Sequence, residues 1–352
     1  MSVRIGLVGT GWWATFCHIP TVEADSRATL VAIADLSAER LAVVGDRFNI
    51  AKRYADYRLM IENEQLDGLI IATPHVAHAE IAVHALARGL HVLVEKPMAT
   101  SSADARAIVI EASKAGKQVL IPCGWNFRDY TDKAAAIVAS GKIGEVRHIV
   151  CQMASALADL FAGEPMMETS DHLFRPPAST WADPRLAGGY GWGQMSHSLA
   201  WVYRVADVVP ESVFAMTGSS PTGVDYFDAA VVRLAGGATM ALSGAATVPK
   251  HCGFQMDIRV FGSQGMLLFD VERERLALRR NDGADLTFPI APGDGGYDGA
   301  APVRRFIAIC GGLGGVNAAD GENGARVVET LEALYRSAAS GRAERIAAGG
   351  SA

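Results

Sequence analysis

The sequence predicts two domains: an α/β domain built on a doubly wound parallel sheet, then an α+β domain built on an open, largely antiparallel sheet. Three observations carry this. Apolar, strand-like runs alternate with helical segments up to about residue 123. A strand, helix, strand unit of about 30 residues opens with Leu69-Ile70-Ile71-Ala72-Thr73-Pro74 and closes with His91-Val92-Leu93-Val94-Glu95-Lys96-Pro97. After residue 145 the rhythm changes to strands without regular intervening helices.

Taken in order, residues 3–8 form an apolar strand, and Gly9-Thr10-Gly11-Trp12-Trp13-Ala14 follows at once with a helix running on through Cys17. This is the G-x-G-x-x-A form of the dinucleotide fingerprint, in its required context of strand before and helix after. Gly9 permits the tight turn, Gly11 lets backbone approach a pyrophosphate, and Ala14 allows close helix–strand packing. The helix N-terminus attracts the phosphate charge. A second strand, residues 29–34, ends in Asp35, which lies 35 − 14 = 21 residues past Ala14. That is near the spacing of the acid that binds an adenosine ribose. A carboxylate there repels a 2′-phosphate and favours NAD over NADP, while Arg40, five residues on, weakens the preference.

Residues 36–48 read as a helix with Ser37 as N-cap. Residues 54–61 fit no pattern. Residues 66–72 are the next strand, 79–88 a helix ended by Gly89, 103–115 a helix and 119–122 a short strand. In the second half the strands are 146–156, 212–218, 229–234, 239–246 and 254–261, continued by Leu267-Leu268-Phe269 and Ala277-Leu278. Met256-Asp257-Ile258-Arg259-Val260 alternates, so one sheet face is packed and the other more polar. Gly236-Gly237 marks a hairpin. Residues 324–339 form an amphipathic helix with Val327, Val328, Leu331 and Leu334 on one side. The expected boundaries are 1–123 for the Rossmann domain and 124–352 for a substrate and oligomerisation domain, with the 324–339 helix at or near their junction.

Bulk properties narrow the function classes. Of 352 residues, half are hydrophobic and a fifth charged, an ordinary globular balance. The net charge of −6 without a basic block argues against nucleic acid. No apolar run reaches membrane-spanning length, and Met1-Ser2-Val3-Arg4-Ile5 enters a strand without a signal-peptide pattern. Five scattered cysteines with no Cys-x-x-Cys pair argue for a reducing compartment, so a cytoplasmic location is expected, and against a zinc site. Glu168 and His172 are four apart, with His197 as a conceivable third ligand, but no other ligand cluster supports a metal site and none is expected.

The fingerprint, Ala72-Thr73-Pro74, Glu95-Lys96-Pro97 and the mixed-sheet second half together resemble the glucose–fructose oxidoreductase / inositol dehydrogenase (Gfo/Idh/MocA) family over nearly the whole chain. The resemblance implies a Rossmann domain, NAD(P), sugars or cyclitols as substrates, and a homodimer or homotetramer made through the open sheet face. It gives Lys96 contact with substrate and nicotinamide end. It implies cofactor contacts from Gly9, Thr10, Gly11, Trp12, Trp13, Asp35, Ala72, Thr73, Pro74, His78, Glu95 and Lys96. By position alone Lys96 reads equally as a surface lysine in a turn, and His78 as helix N-terminal packing.

The family's second signature places a glycine pair, then an Asp four residues before a His. Here it reads Gly188-Gly189-Tyr190-Gly191-Trp192-Gly193-Gln194-Met195-Ser196-His197. His197 matches the catalytic histidine, although spacing alone favours a core histidine. Gly193 stands where the Asp belongs. Gln194 is adjacent but cannot transfer protons as a carboxylate does; either Glu168 or Asp171 swings in from the preceding loop, or His197 acts with Lys96 alone. Asn126, Arg128, Gln194 and His197 are the expected substrate contacts; Arg128 reads equally as a structural ion pair. The expected activity is an NAD-dependent oxidation of a CH–OH group with Lys96 moving the proton and His197 assisting. The alternative is an NAD-retaining glycosidase that oxidises its substrate transiently.

Overall fold

The computed structural model describes residues 2–347. By contacts the chain divides into two compact units. The first holds residues up to 124, 165–180 and 298–325; the second holds 125–164, 181–297 and 326 onward. A single cut at residue 123 thus leaves two later segments on the first unit.

The first unit is a six-stranded sheet of β1 (Val3–Val8), β2 (Ala28–Ala34), β3 (Arg53–Tyr54), β4 (Gly68–Ile71), β5 (His91–Val94) and β6 (Val119–Leu120). The order is β3-β2-β1-β4-β5-β6, with every neighbour parallel. Ile5, Leu7, Leu69, Ile70, Ile71, Val92, Leu93 and Val94 are fully buried, the continuous apolar pattern of strands covered on both faces. The expected helix over 36–48 is Ala38–Arg47, with the Ser37 hydroxyl accepting from the Arg40 N–H. The 79–88 helix is His78–Ala87, followed by Gly89 at φ +80. Ser102–Ala115 is capped by Ser101. The stretch with no readable pattern holds β3 and the helix Tyr57–Asn63, capped by Asp56.

The segment 298–325 joins this unit through contacts that local patterning does not reveal. Phe306 and Cys310 of the helix Ala300–Cys310 press on Gly68, where a Cβ would lie 2.8 and 2.5 Å from their side chains. The Ile121 N–H donates to the Ala319 carbonyl at 2.8 Å. Sequence patterning assigns no helix to 300–310.

The second unit carries β7 (Val146–Ala154), β8 (Pro210–Ser219), β9 (Asp225–Leu234), β10 (Thr239–Ala245), β11 (Gln255–Gly262), β12 (Gly265–Asp270), β13 (Arg275–Arg280), β14 (Leu286–Pro289) and β15 (Glu344–Arg345). They form one sheet in the order β14-β13-β12-β11-β7-β10-β9-β8-β15. The β7–β10 pair is parallel and the other described pairs are antiparallel. Along β9, Ala230, Val232 and Leu234 are buried while Val231 and Arg233 are exposed, so the sheet has one packed and one open face. Gly236 and Gly237, at φ +78 and +86, turn β9 into β10.

The packed face is covered by the helix Ser196–Ala206, all of it buried but Arg204. Trp201 stacks on Phe269 at 4.4 Å between ring centroids and donates to the Thr131 hydroxyl at 2.9 Å. Thr131 lies on a helix, Asp129–Ala139, that the pattern reading leaves unassigned. The expected C-terminal helix spans Gly321–Ser340, with Val327, Val328, Leu331 and Leu334 buried. Among the described residues no helix is long and apolar enough to cross a membrane.

Candidate active site

In an open parallel sheet, ligand chemistry belongs at the carboxyl ends of the strands. Gly9 leaves the end of β1 at φ +90, and a Cβ on it would lie 2.6 Å from the Ala72 carbonyl and 2.8 Å from the Thr73 nitrogen. Only glycine fits both the backbone angle and the close approach. The Gly9 N–H donates to Ala34 O at 2.8 Å, tying the turn to the end of β2.

There Thr10, fully buried, donates to Asp35 Oδ2 through both its N–H (2.8 Å) and its hydroxyl (2.9 Å). The Ser37 N–H binds Asp35 Oδ1 at 2.9 Å. Asp35 stays part-exposed and is turned toward the glycine turn. Arg40 is close by: its Nη1 lies 3.9 Å from where a Cβ on Gly11 would be, and its guanidinium sits over the Phe174 ring at 5.5 Å.

The helix after the turn begins with a wide turn, Ala14–His18. Trp12 donates its indole N–H to His172 Nδ1 at 2.7 Å, Trp13 packs edge-on to Trp12 at 5.3 Å, and Phe16 stacks on His172 at 4.2 Å. His172 therefore serves as an acceptor for Trp12, and sequence patterning gives no hint of this tie. Among the described residues no three His, Cys, Asp or Glu side chains are grouped to hold a metal.

At the end of β5, the His18 Nε2–H donates to Glu95 Oε1 at 2.8 Å and the Lys96 N–H to Oε2 at 3.1 Å. His18 is fully buried and Glu95 nearly so. Burial pushes the Glu95 carboxyl up, but the His18 hydrogen bond, the nearby positive charge and the Lys96 N–H outweigh it and hold the group below its usual value. Lys96 is moved down from the ordinary lysine value by burial, against the upward pull of Glu95. His78 is fully buried, with Nδ1 2.8 Å from Pro97 O and Nε2 2.8 Å from Thr73 O. It clips the loop after β4 to the loop after β5. Two carbonyls at once call for two N–H donors, yet burial favours the neutral ring. His18 was not singled out from sequence; its signal is a histidine four residues past Ala14, on the face that meets the Glu-Lys-Pro turn.

In the second unit His197 is buried in the first turn of the helix Ser196–Ala206. Trp125 and Tyr297 meet its ring edge-to-face at 5.7 and 5.1 Å, and Trp125 donates to the Gly295 carbonyl at 2.9 Å. Asn126 is fully buried and its amide donates to Ala200 O at 3.0 Å. Arg128 donates to Gly296 O at 2.8 Å. Gln194 is buried in the wide turn Gly191–Met195. Asp171 and Glu168 lie exposed on the 165–180 segment of the first unit.

Comparison with known proteins gives two matches along the chain. A profile described as "Oxidoreductase family, NAD-binding Rossmann fold" matches residues 3–122, and one described as "GFO/IDH/MocA C-terminal domain" matches residues 131–268. The chain belongs to the Gfo/Idh/MocA family of oxidoreductases. The chain is similar to D-xylose 1-dehydrogenase (NADP(+)) 2 of Haloferax volcanii, 26% identical over 97% of this chain and 99% of that protein. It is 32% identical over 197 residues to 1-carboxy-3-chloro-3,4-dihydroxycyclohexa-1,5-diene dehydrogenase of Comamonas testosteroni; that match covers 56% of this chain and 46% of the relative. An oxidoreductase from Agrobacterium radiobacter, solved in complex with NAD+, L-tartaric acid and magnesium, has the same fold. Its TM-score is 0.75 at 21% identity, over 98% of this chain and 99% of that one.

At Gly193, where the sequence resemblance leads one to expect an Asp, the packing is tight. A Cβ at Gly193 would lie 3.0 Å from the Trp181 ring and 3.1 Å from the Phe161 ring. The space a carboxylate would need is taken by aromatic carbon. Gly193→Asp should therefore bury a charge against two rings and cost roughly 3–5 kcal/mol of stability. Chemical denaturation of the two proteins measures this, and equal midpoints would show that the rings yield readily.

Proposed function

We propose that this chain is an NAD-dependent dehydrogenase that oxidises a CH–OH group of a sugar, cyclitol or sugar derivative, with Lys96 as the proton-transfer residue. The observation that carries the reading is Lys96 at the carboxyl end of β5, part-buried and lowered in pKa beside the buried Glu95. The glycine turn and Asp35 fit the cofactor: the Gly9 approach leaves no side chain over the turn, and Asp35 stands at its edge. Gly9, Thr10, Gly11, Trp12 and Trp13 would hold the pyrophosphate, Asp35 the adenosine ribose, and the 72–74 loop the nicotinamide end. Bound there, NAD supplies the electron-accepting ring.

The chain's own residues supply position and proton transfer. A neutral Lys96 amine can accept the hydroxyl proton, and burial enlarges the neutral fraction near neutral pH. The sign follows: oxidation slows as pH falls through the Lys96 pKa and the amine becomes an ammonium. His197 is read as assisting the proton's transfer. With Gly193 in place of the family's carboxylate, a second reading stands beside it, a redox-neutral glycosidase; it makes no net NADH.

The open face of the second unit supports an oligomer. Phe214, Met216, Phe227 and Val231 of β8 and β9 are 41%, 67%, 46% and 55% exposed, and Phe214 faces Val231 across the strands. A contiguous apolar patch of this kind fits a subunit contact, and the proposed partner is a second copy of this chain in a homodimer or homotetramer. The five cysteines, none in a disulfide, fit a cytoplasmic setting.

Three measurements test these readings. Lys96→Ala should lower turnover on a sugar or cyclitol substrate at least about 10²-fold while NAD still binds; near-normal turnover would remove Lys96 from the chemistry. His197→Ala should lower it less. For cofactor choice, NAD titration against NADP should favour NAD, and Asp35→Ser should narrow the gap by about 1–2 kcal/mol; equal affinities in the unaltered protein would overturn the reading of Asp35. Light scattering at micromolar concentration should give a dimer or tetramer, and Met216→Asp with Val231→Asp should release monomers. A monomeric parent protein would end the subunit proposal.

A further inference from the structure

The His18–Glu95 pair is not part of the glycine turn, yet it lies buried next to Lys96 in the chain. Both oxygens of Glu95 are engaged: Oε1 by the His18 ring at 2.8 Å, Oε2 by the backbone N–H of Lys96 at 3.1 Å. A carboxylate only accepts, so His18 Nε2 carries the hydrogen. The other ring nitrogen, Nδ1, is buried with no hydrogen-bond partner among the described residues. The ring is thus placed to serve Glu95 and nothing else.

We propose that Glu95, clamped by His18, is a positioning residue that governs when Lys96 gives up its proton. The proposal rests on the proton-transfer reading of Lys96 and deepens it.

The charges around the pair single out Glu95. Cys17 and Cys123, the thiols near Glu95 and Lys96, are pushed to about 12 by burial and stay neutral through the working range. His78, within reach of both charges, is held toward its neutral form by burial. Burial lowers Lys96, and Glu95 is an ionised neighbour that favours its ammonium. A carboxylate in that place raises the pH at which Lys96 gives up its proton, against the burial that lowers it. His18 matters because a buried carboxylate without its hydrogen bond takes up a proton itself. Its charge, and its hold on Lys96, then disappear.

The test needs no substrate. The chain has seven lysines, so lysine labelled with ¹³C at Cε gives a tractable spectrum, and Lys96→Arg identifies the Lys96 signal by its loss. The signal is followed against pH in the full-length protein. Glu95→Gln, nearly the same shape without the charge, should lower the Lys96 midpoint by about 1–3 pH units, the size typical of one opposite charge at close range. His18→Leu should move it in the same direction. His18→Gln, whose amide nitrogen can reach the position of Nε2, should restore the midpoint toward that of the parent. Circular dichroism and thermal unfolding of each variant report whether the fold is intact. A merely structural role would weaken stability and leave the midpoint in place. An unmoved midpoint in Glu95→Gln overturns the proposal, as does identical behaviour of His18→Leu and His18→Gln; if the leucine variant fails to fold, Glu95→Gln decides alone. Failure of the Lys96→Ala turnover test would sink the chemical role of Lys96 without touching this measurement, so the two failures are distinguishable.

Discussion

The close approach of Gly9 to Ala72 and Thr73 is the constraint on which the first unit's chemistry depends. Three backbone hydrogen bonds run across the strand ends there: Gly9 N–H to Ala34 O and Ala72 N–H to Val8 O at 2.8 Å, and Glu95 N–H to Ile71 O at 2.9 Å. Each turn that carries a functional residue is hung from its neighbour strand by one of them. With a side chain at residue 9 the turns after β1 and β4 would separate, and Thr10 could not reach Asp35 while the fingerprint helix kept its place. The geometry is backbone geometry, set by glycine at residue 9.

Around this frame the Glu95 carboxylate and the His78 ring are buried and matched. Glu95 has a donor for each oxygen, and His78 ties Thr73 to Pro97. An unpaired buried polar group costs about 1–3 kcal/mol and more if charged, so such matching holds loops that carry few apolar contacts of their own. Rigid loops in turn keep Lys96 at one place relative to the glycine turn. The same economy appears at the turn's other side, where Trp12, Phe16 and His172 use ring stacking and one short hydrogen bond to seat the 165–180 segment.

The second unit solves a different problem. Its helix Ser196–Ala206 is almost wholly buried, and the histidine in its first turn is buried with it. Trp181 and Phe161 fill the space at Gly193. The price of a carboxylate there would be taken from the core. Two aromatic rings around His197 give it a defined edge-to-face environment instead.

The sequence by itself determined the longer strands, several helices, the glycine turn and the family. These are local matters: apolar runs set strands, Ser37 and Gly89 set helix ends, and Gly9 through Ala14 sets a turn by residue size alone. It also singled out Lys96, Asp35 and His197, because motif position encodes them. What only the tertiary structure decided involves partners far apart in the chain. The helix Ala300–Cys310 joins the first unit because Phe306 and Cys310 fit over Gly68, more than 200 residues away. His172 meets Trp12 across 160 residues, and His18 meets Glu95 across 77. Asn126 carries no local sign that Ala200 takes its amide. The sequence showed that a carboxylate is missing at Gly193; only packing showed that two rings stand in its place. Local patterns record the backbone's preferences, whereas burial and hydrogen-bond partners are properties of the folded whole.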